Sequence, residues 1–272
     1  MAKRTRSRKQ DDFPIENQEN TPKNDIFSLI KFELKFKNKT QKDFHESIKK
    51  NDVTICIGSA GTGKTYLAVA TAIKLLKDRL FKKIVIIKSV TPLKSEEIGY
   101  LKGTMQEKME PFIYSFINNF EKLIGKNNTL MLRESGYIET LPIAYLRGIN
   151  IDDAIVIVDE VQNISHDNLK TILTRLGENS KIVLLGDTEQ VDIKYKKDSS
   201  LLKLANKIKS KPNENVGLIE FNEEDIVRHP LTGYFINLFK EEKKQEITKP
   251  VEIVNIKKDN YFEKILKFFK IK

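Results

Sequence analysis

Of 272 residues only one is cysteine and three are histidine. One thiol cannot close an internal disulfide, and Cys56 stands in the apolar run Val-Thr-Ile-Cys-Ile, where it reads as a small buried hydrophobe. His45, His166 and His229 are far apart and keep no metal-ligand spacing with that cysteine, so no structural zinc is expected. No stretch approaches the roughly 18 consecutive apolar residues of a membrane helix, and the start of the chain lacks the apolar centre of a secretory signal. A cytoplasmic protein with no membrane association is the expectation. Internal repeats are missing too, as is any carboxylate cluster of the kind a nuclease needs.

What is present begins with charge. The formal net charge of +10 is unevenly placed: the first ten residues hold five basic groups and no acid, and residues 240–272 hold ten lysines against six acids. Such ends suit polyanions, because contacts from Lys and Arg release condensed counterions; they serve solubility equally well.

Three segments follow from the patterning. Residues 1–30 mix charge, Asn, Gln and Pro with few apolar groups and read as a flexible basic and polar arm. Within 31–240 lie the apolar runs 53–57, 84–88, 154–159, 181–186 and 216–221. They are short, β-branched and apolar on both faces, as in strands buried in a parallel sheet. Helix candidates at 64–78, 168–176 and 201–209 fall between them, which predicts an α/β fold with three α/β/α layers. Residues 241–272 form a basic tail in which Tyr261, Phe262, Ile265, Leu266 and Phe269 share one face of an amphipathic helix. Protein, in the same chain or a neighbouring subunit, is its expected docking surface.

The sharpest signal is Gly58-Ser59-Ala60-Gly61-Thr62-Gly63-Lys64-Thr65, the pattern G-x-x-x-x-G-K-[ST], with an expected strand before it and a helix after it. The glycines let backbone N–H groups curl around an anion, and the helix N-terminus adds a favourable dipole. Lys64 reaches the β- and γ-phosphates, and the Thr65 hydroxyl ligates Mg²⁺. The predicted nucleotide-binding set runs from Gly58 through Tyr66. Downstream, Asp159 closes an apolar strand where it can hold magnesium through water, and Glu160 beside it can orient and deprotonate an attacking water. An Asp-Glu pair in that place favours hydrolysis over transfer to a small molecule. Gln190, after the next strand, is a candidate γ-phosphate sensor. Gln41 has the amide geometry for paired hydrogen bonds to adenine N6 and N7, which points to ATP, although its neighbourhood taken alone is an ordinary polar turn.

Seven blocks then resemble, in order and spacing, the PhoH family of phosphate-starvation-type ATPases: GSAGTGKTYLAVA at 58–70, GYLKGTMQEKMEPF at 99–112, LPIAYLRG at 141–148, VDEVQN at 158–163, LTRLG at 173–177, GDTEQVD at 186–192 and DIVRHPL at 225–231. The resemblance implies a P-loop NTPase core of RecA-like type, related to superfamily 1 helicases, with RNA-directed activity. By position it implies that Gln41 faces adenine, Lys64 and Thr65 the phosphates and Mg²⁺, Asp159 and Glu160 the metal and water, and Gln190 the γ-phosphate. Arg228 would complete the site as an arginine finger, with Arg147 and Arg175 as competitors. The chain departs from the family at Lys88-Ser89-Val90-Thr91-Pro92, where Arg-Pro-Ala follows the second strand, at Ser199-Ser200-Leu201 for Ser-Gly-Leu, and at Val161 for alanine.

Helicases of this superfamily close the ATP site between two cores, and this chain has room for one. A homo-oligomer, in the form of a hexameric ring around RNA or single-stranded DNA, is the expected remedy. Lys94, Lys102 and Lys108 are candidates for the strand-facing surface. The competing reading is a nucleotide-switched regulatory module that turns ATP over slowly and docks a protein partner.

Overall fold

Residue alternation along the strands decides the architecture. In the computed structural model, which describes residues 26–88, 105–187 and 199–227, six strands form one sheet: β1 (Val53–Ile57), β2 (Lys83–Lys88), β3 (Ile138–Thr140), β4 (Ala154–Asp159), β5 (Lys181–Gly186) and β6 (Val216–Glu220). Ile84, Ile86, Ile155, Ile157, Val183 and Leu185 point to one face. Their neighbours Val85, Ile87, Val156, Val158, Ile182 and Leu184 point to the other. Both sets are buried, so the sheet needs helices on each side.

It has them. The first face packs against α1 (Lys39–Lys50), α2 (Lys64–Lys77), α3 (Met105–Ile124) and α4 (Lys126–Glu134), with Phe44, Leu67, Phe116, Phe120 and Leu132 in the core. The second packs against α5 (His166–Leu173) and α6 (Ser200–Ser210) through Leu169, Ile172, Leu201 and Ala205. The fold is therefore α/β in three layers, and its strands are parallel throughout, in the order β3-β2-β4-β5-β1-β6.

The five strands expected from the apolar runs all form, but β6 differs in burial. Four of its residues are half-buried and Glu220 is exposed, because an edge strand has a partner on one side only. The polar stretch at 38–41 is not a free turn. Asn38 caps α1, its side chain accepting the Gln41 N–H at 2.8 Å, and the helix buries Gln41, Phe44, His45 and Ile48. Cys56 is buried in the core as expected, and burial pushes its thiol pKa well above the usual range, so the thiol stays protonated. His45 is buried too; burial lowers its pKa, and its Nδ1 pairs with the Thr71 hydroxyl at 2.8 Å. No described helix is long and apolar enough to cross a membrane. All the described residues belong to one unit, which ends at Val227. The N-terminal arm up to residue 25, the 240/241 boundary and the tail helix lie outside the described residues.

Candidate functional site

Parallel strands bring their carboxyl ends to one edge of the sheet, and register brings those ends level. Ile57 pairs with Gly186 and Lys88 with Asp159, while β5 lies between β1 and β4. The loop leaving β1, the acids ending β4 and the residue following β5 thus share one neighbourhood.

Residues 58–63 form that loop. Gly61 and Gly63 have φ of 94° and 89°, a left-handed backbone that side-chain-bearing residues rarely adopt. Gly58 meets a different demand. A Cβ there would stand 2.5 Å from the Cβ of Phe221, and the Gly58 N–H donates to the Gly186 carbonyl at 3.2 Å. Gly58→Ala should therefore push the end of β6 away from the loop, lowering stability in urea titration by about 1–3 kcal/mol, the usual cost of overpacking.

Lys64, the first residue of α2, folds back over the loop, its Nζ donating to the carbonyls of Gly58 at 2.6 Å and Ser59 at 2.8 Å. Burial lowers its pKa, an effect opposed by Cys56, Asp187, Asp159 and Glu160. The charges of three carboxyl groups from two strand ends thus act on one ammonium. Thr65, half-buried, occupies the first turn of α2, and Tyr66 beside it is exposed.

Asp159 retains some exposed surface, yet the protein crowded around its carboxyl raises its pKa to about 6; the charge of Glu160 adds to the rise, and Lys88 and Lys64 oppose it. Glu160 sits in the left-handed region at φ 55°, which turns the chain sharply after β4 and into the short 3₁₀ turn Val161–Asn163. A strained non-glycine backbone at the end of a site strand is a frequent companion of function. Gln162, fully buried, donates from Nε2 to Glu160 Oε2 at 2.6 Å and accepts the Asp187 N–H on Oε1 at 3.0 Å.

The loop is braced from two further directions. Gln41 donates to the Thr62 carbonyl at 3.1 Å while its Oε1 accepts the Lys37 N–H at 2.8 Å. Val227 donates its N–H to the Gly61 carbonyl at 3.0 Å, and Thr62, with no exposed surface, donates to the Ser59 carbonyl at 3.1 Å.

The fold therefore gathers Gln41, residues 58–65, Asp159 and Glu160 around one loop. It does not bring Arg175 there. The Arg175 carbonyl accepts the N–H of Ile151, three residues before β4 begins, so it lies at the opposite end of that strand from Asp159; its guanidinium donates to the Ile149 carbonyl at 3.4 Å. Arg147 is exposed after the turn Ile143–Leu146. Gln190, Arg228, Lys94 and Lys102 fall outside the described residues, as do the side chain of Lys108 and the departure at 89–92. Sequence reasoning passed over Gln162, Asp187 and Val227. For Gln162 a signal existed: an uncharged amide two residues after an acid pair at a strand end.

A strand, a glycine loop closing on a lysine at a helix N-terminus, and an acid pair ending a second parallel strand define a P-loop NTPase core. Residues 33–240 match the family described as PhoH-like protein, and the chain belongs to that family. It is 36% identical over 206 residues to the PhoH-like protein of Bacillus subtilis, covering 76% of this chain and 64% of that one. With the PhoH-like protein of Synechocystis it shares 37% identity over 73% of this chain and 60% of the relative, and with Protein PhoH of Escherichia coli 30% over 72% and 55%. The chain thus spans less than two thirds of the length of these relatives. Among solved structures it is similar to the large terminase from a thermophilic bacteriophage, with a TM-score of 0.42 at 14% identity over 78% of this chain and 50% of that one. It is also similar to Pif1 helicase from Candida albicans, with a TM-score of 0.38 at 19% identity over 76% and 44%.

Proposed function

We propose that this chain is a magnesium-dependent ATP hydrolase that acts on RNA or single-stranded DNA as a homo-oligomer. The observation that carries the reading is the convergence of Lys64, Asp159 and Glu160 on one glycine loop, with Lys64 coupled electrostatically to both acids. In this reading the loop N–H groups and Lys64 hold the phosphates, and Lys64 exchanges its two loop carbonyls for phosphate oxygens. Glu160 orients a water and takes its proton. Gln41 can serve adenine without releasing the loop, because a carboxamide keeps a second N–H and a second lone pair after its bonds to Thr62 and Lys37 are counted.

Magnesium fits the donors present. Asp159 is a carboxyl whose surroundings disfavour its charge, so a cation beside it would relieve the penalty, and the Thr65 hydroxyl is a hard oxygen donor at the loop's end. When bound, the ion would neutralise charge on the phosphate oxygens.

The strand partner is inferred from the basic ends of the chain. The oligomer is proposed because an arginine supplied in trans by a neighbouring copy can complete a P-loop site. The position of Arg175 at the far end of β4 suits action on a neighbour's site better than on its own.

The test is phosphate release from Mg·ATP with and without single-stranded RNA and DNA. Turnover should rise several-fold with one of the two strands and vanish in Lys64→Ala, because phosphate charge then loses its buried cation. ATP binding with slow turnover whatever strand is added would replace this reading with the nucleotide-switched module.

A further inference from the structure

Gln162 has no assigned task, yet it has no exposed surface and touches both sides of the site. Its amide nitrogen holds Glu160 Oε2 at 2.6 Å, and its amide oxygen takes the backbone N–H of Asp187 at 3.0 Å. We propose that Gln162 is a positioning residue: it fixes the Glu160 carboxylate by tying it to the backbone that leaves β5, and it acts on the reaction through Glu160 without touching nucleotide. The inference rests on the reading of Glu160 as the water-orienting base.

Three features support it. The connection needs both a donor and an acceptor at the end of one side chain, which an amide supplies and a neutral thioether or a carboxylate does not. Room for it depends on Gly186, where a Cβ would lie 3.2 Å from Gln162 Oε1 and 2.2 Å from Leu201 Cδ2. The left-handed backbone at Glu160 and the 3₁₀ turn after it set the two side chains face to face, with the Asn163 N–H returning to the Glu160 carbonyl at 2.9 Å. A carboxylate held this way cannot follow β4 alone; its place is set jointly by the ends of β4 and β5.

The test is a double-mutant cycle on ATP turnover with Gln162→Met, which removes both arms at nearly constant volume, and Gln162→Glu, which keeps the acceptor for Asp187 but loses the donor to Glu160. Each is made in the wild-type and in the Glu160→Gln background. In the wild-type background kcat should fall about 10- to 100-fold, the range for a misplaced catalytic group. KM and the affinity for a fluorescent ADP analogue should stay within about twofold, and in the Glu160→Gln background the same substitutions should change kcat by less than about twofold, as expected of groups acting as one unit. Full turnover in both single variants overturns the proposal, and so does an equal loss in both backgrounds. Gln162→Glu keeps it falsifiable if Gln162→Met fails to fold. If Glu160→Gln alone retains full turnover, the base assignment itself falls and takes this inference with it, an outcome read from one variant and separable from the others.

Discussion

Glu160→Gln should lower ATP turnover by about 10²–10⁴-fold, the range for losing a positioned general base, while nucleotide still binds. The substitution keeps the shape of the side chain and can keep a hydrogen bond with Gln162, so the turn after β4 is retained. What disappears is the capacity to take a proton from water. Removing one of the negative charges that face Lys64 should also ease the approach of a polyanion, so binding of Mg·ATP should be equal or tighter. Single-turnover phosphate release and equilibrium titration with a fluorescent ATP analogue separate the two effects. A Glu160→Gln variant that hydrolyses at the wild-type rate removes Glu160 from the chemistry.

Asp159→Asn should abolish magnesium-dependent turnover and, without magnesium, make the protein more stable at pH 7. The sign follows from the pKa. Asp159 rises from 3.8 to about 6 on folding, so between those values the folded chain binds more protons than the unfolded one, and stability falls as pH climbs through the window. Above it the charged carboxyl is a standing cost. A shift of about two units is worth roughly 3 kcal/mol at 1.36 kcal/mol each, and partial solvent exposure reduces this to about 1–3 kcal/mol. Asparagine removes the charge and the slope together. Urea titrations at pH 4.5 and pH 7 should show the wild type losing stability with rising pH and the variant losing less. Magnesium should raise the melting temperature of the wild type at pH 7, since it binds the charged form, and leave the variant nearly unchanged. A variant less stable than wild type at pH 7 without magnesium would show that Asp159 is held by favourable contacts and is not awaiting a cation.

Some of this was readable before any fold was known. The apolar runs at 53–57, 84–88, 154–159, 181–186 and 216–221 appear as β1, β2, β4, β5 and β6 with their limits shifted by at most one residue, because the inner strands are covered on both faces and read as continuous apolar runs. The glycine loop was equally legible, since Gly61 and Gly63 answer local backbone demands. Other elements were not. α1 starts at a polar stretch that looks like a turn until Asn38 is recognised as its cap. α3 carries Pro111 within a helix of 20 residues, against its propensity. β3, three residues long, is too short to set up an alternation.

The chain's own chemistry determined the glycine loop, the acid pair and the strand ends on which they sit, because short-range sterics and the two-residue period of a buried strand are written in adjacent residues. Only the tertiary structure decided which strands are neighbours, and with that which groups meet. β5 inserted between β1 and β4 sets the Asp187 N–H against Gln162, whose other arm holds Glu160. The same strand order leaves Arg175 at the far end of β4. The contact between Asp187 and Gln162 joins residues 25 apart in the chain, and it forms only when a hydrophobic sheet finds the order that buries both of its faces.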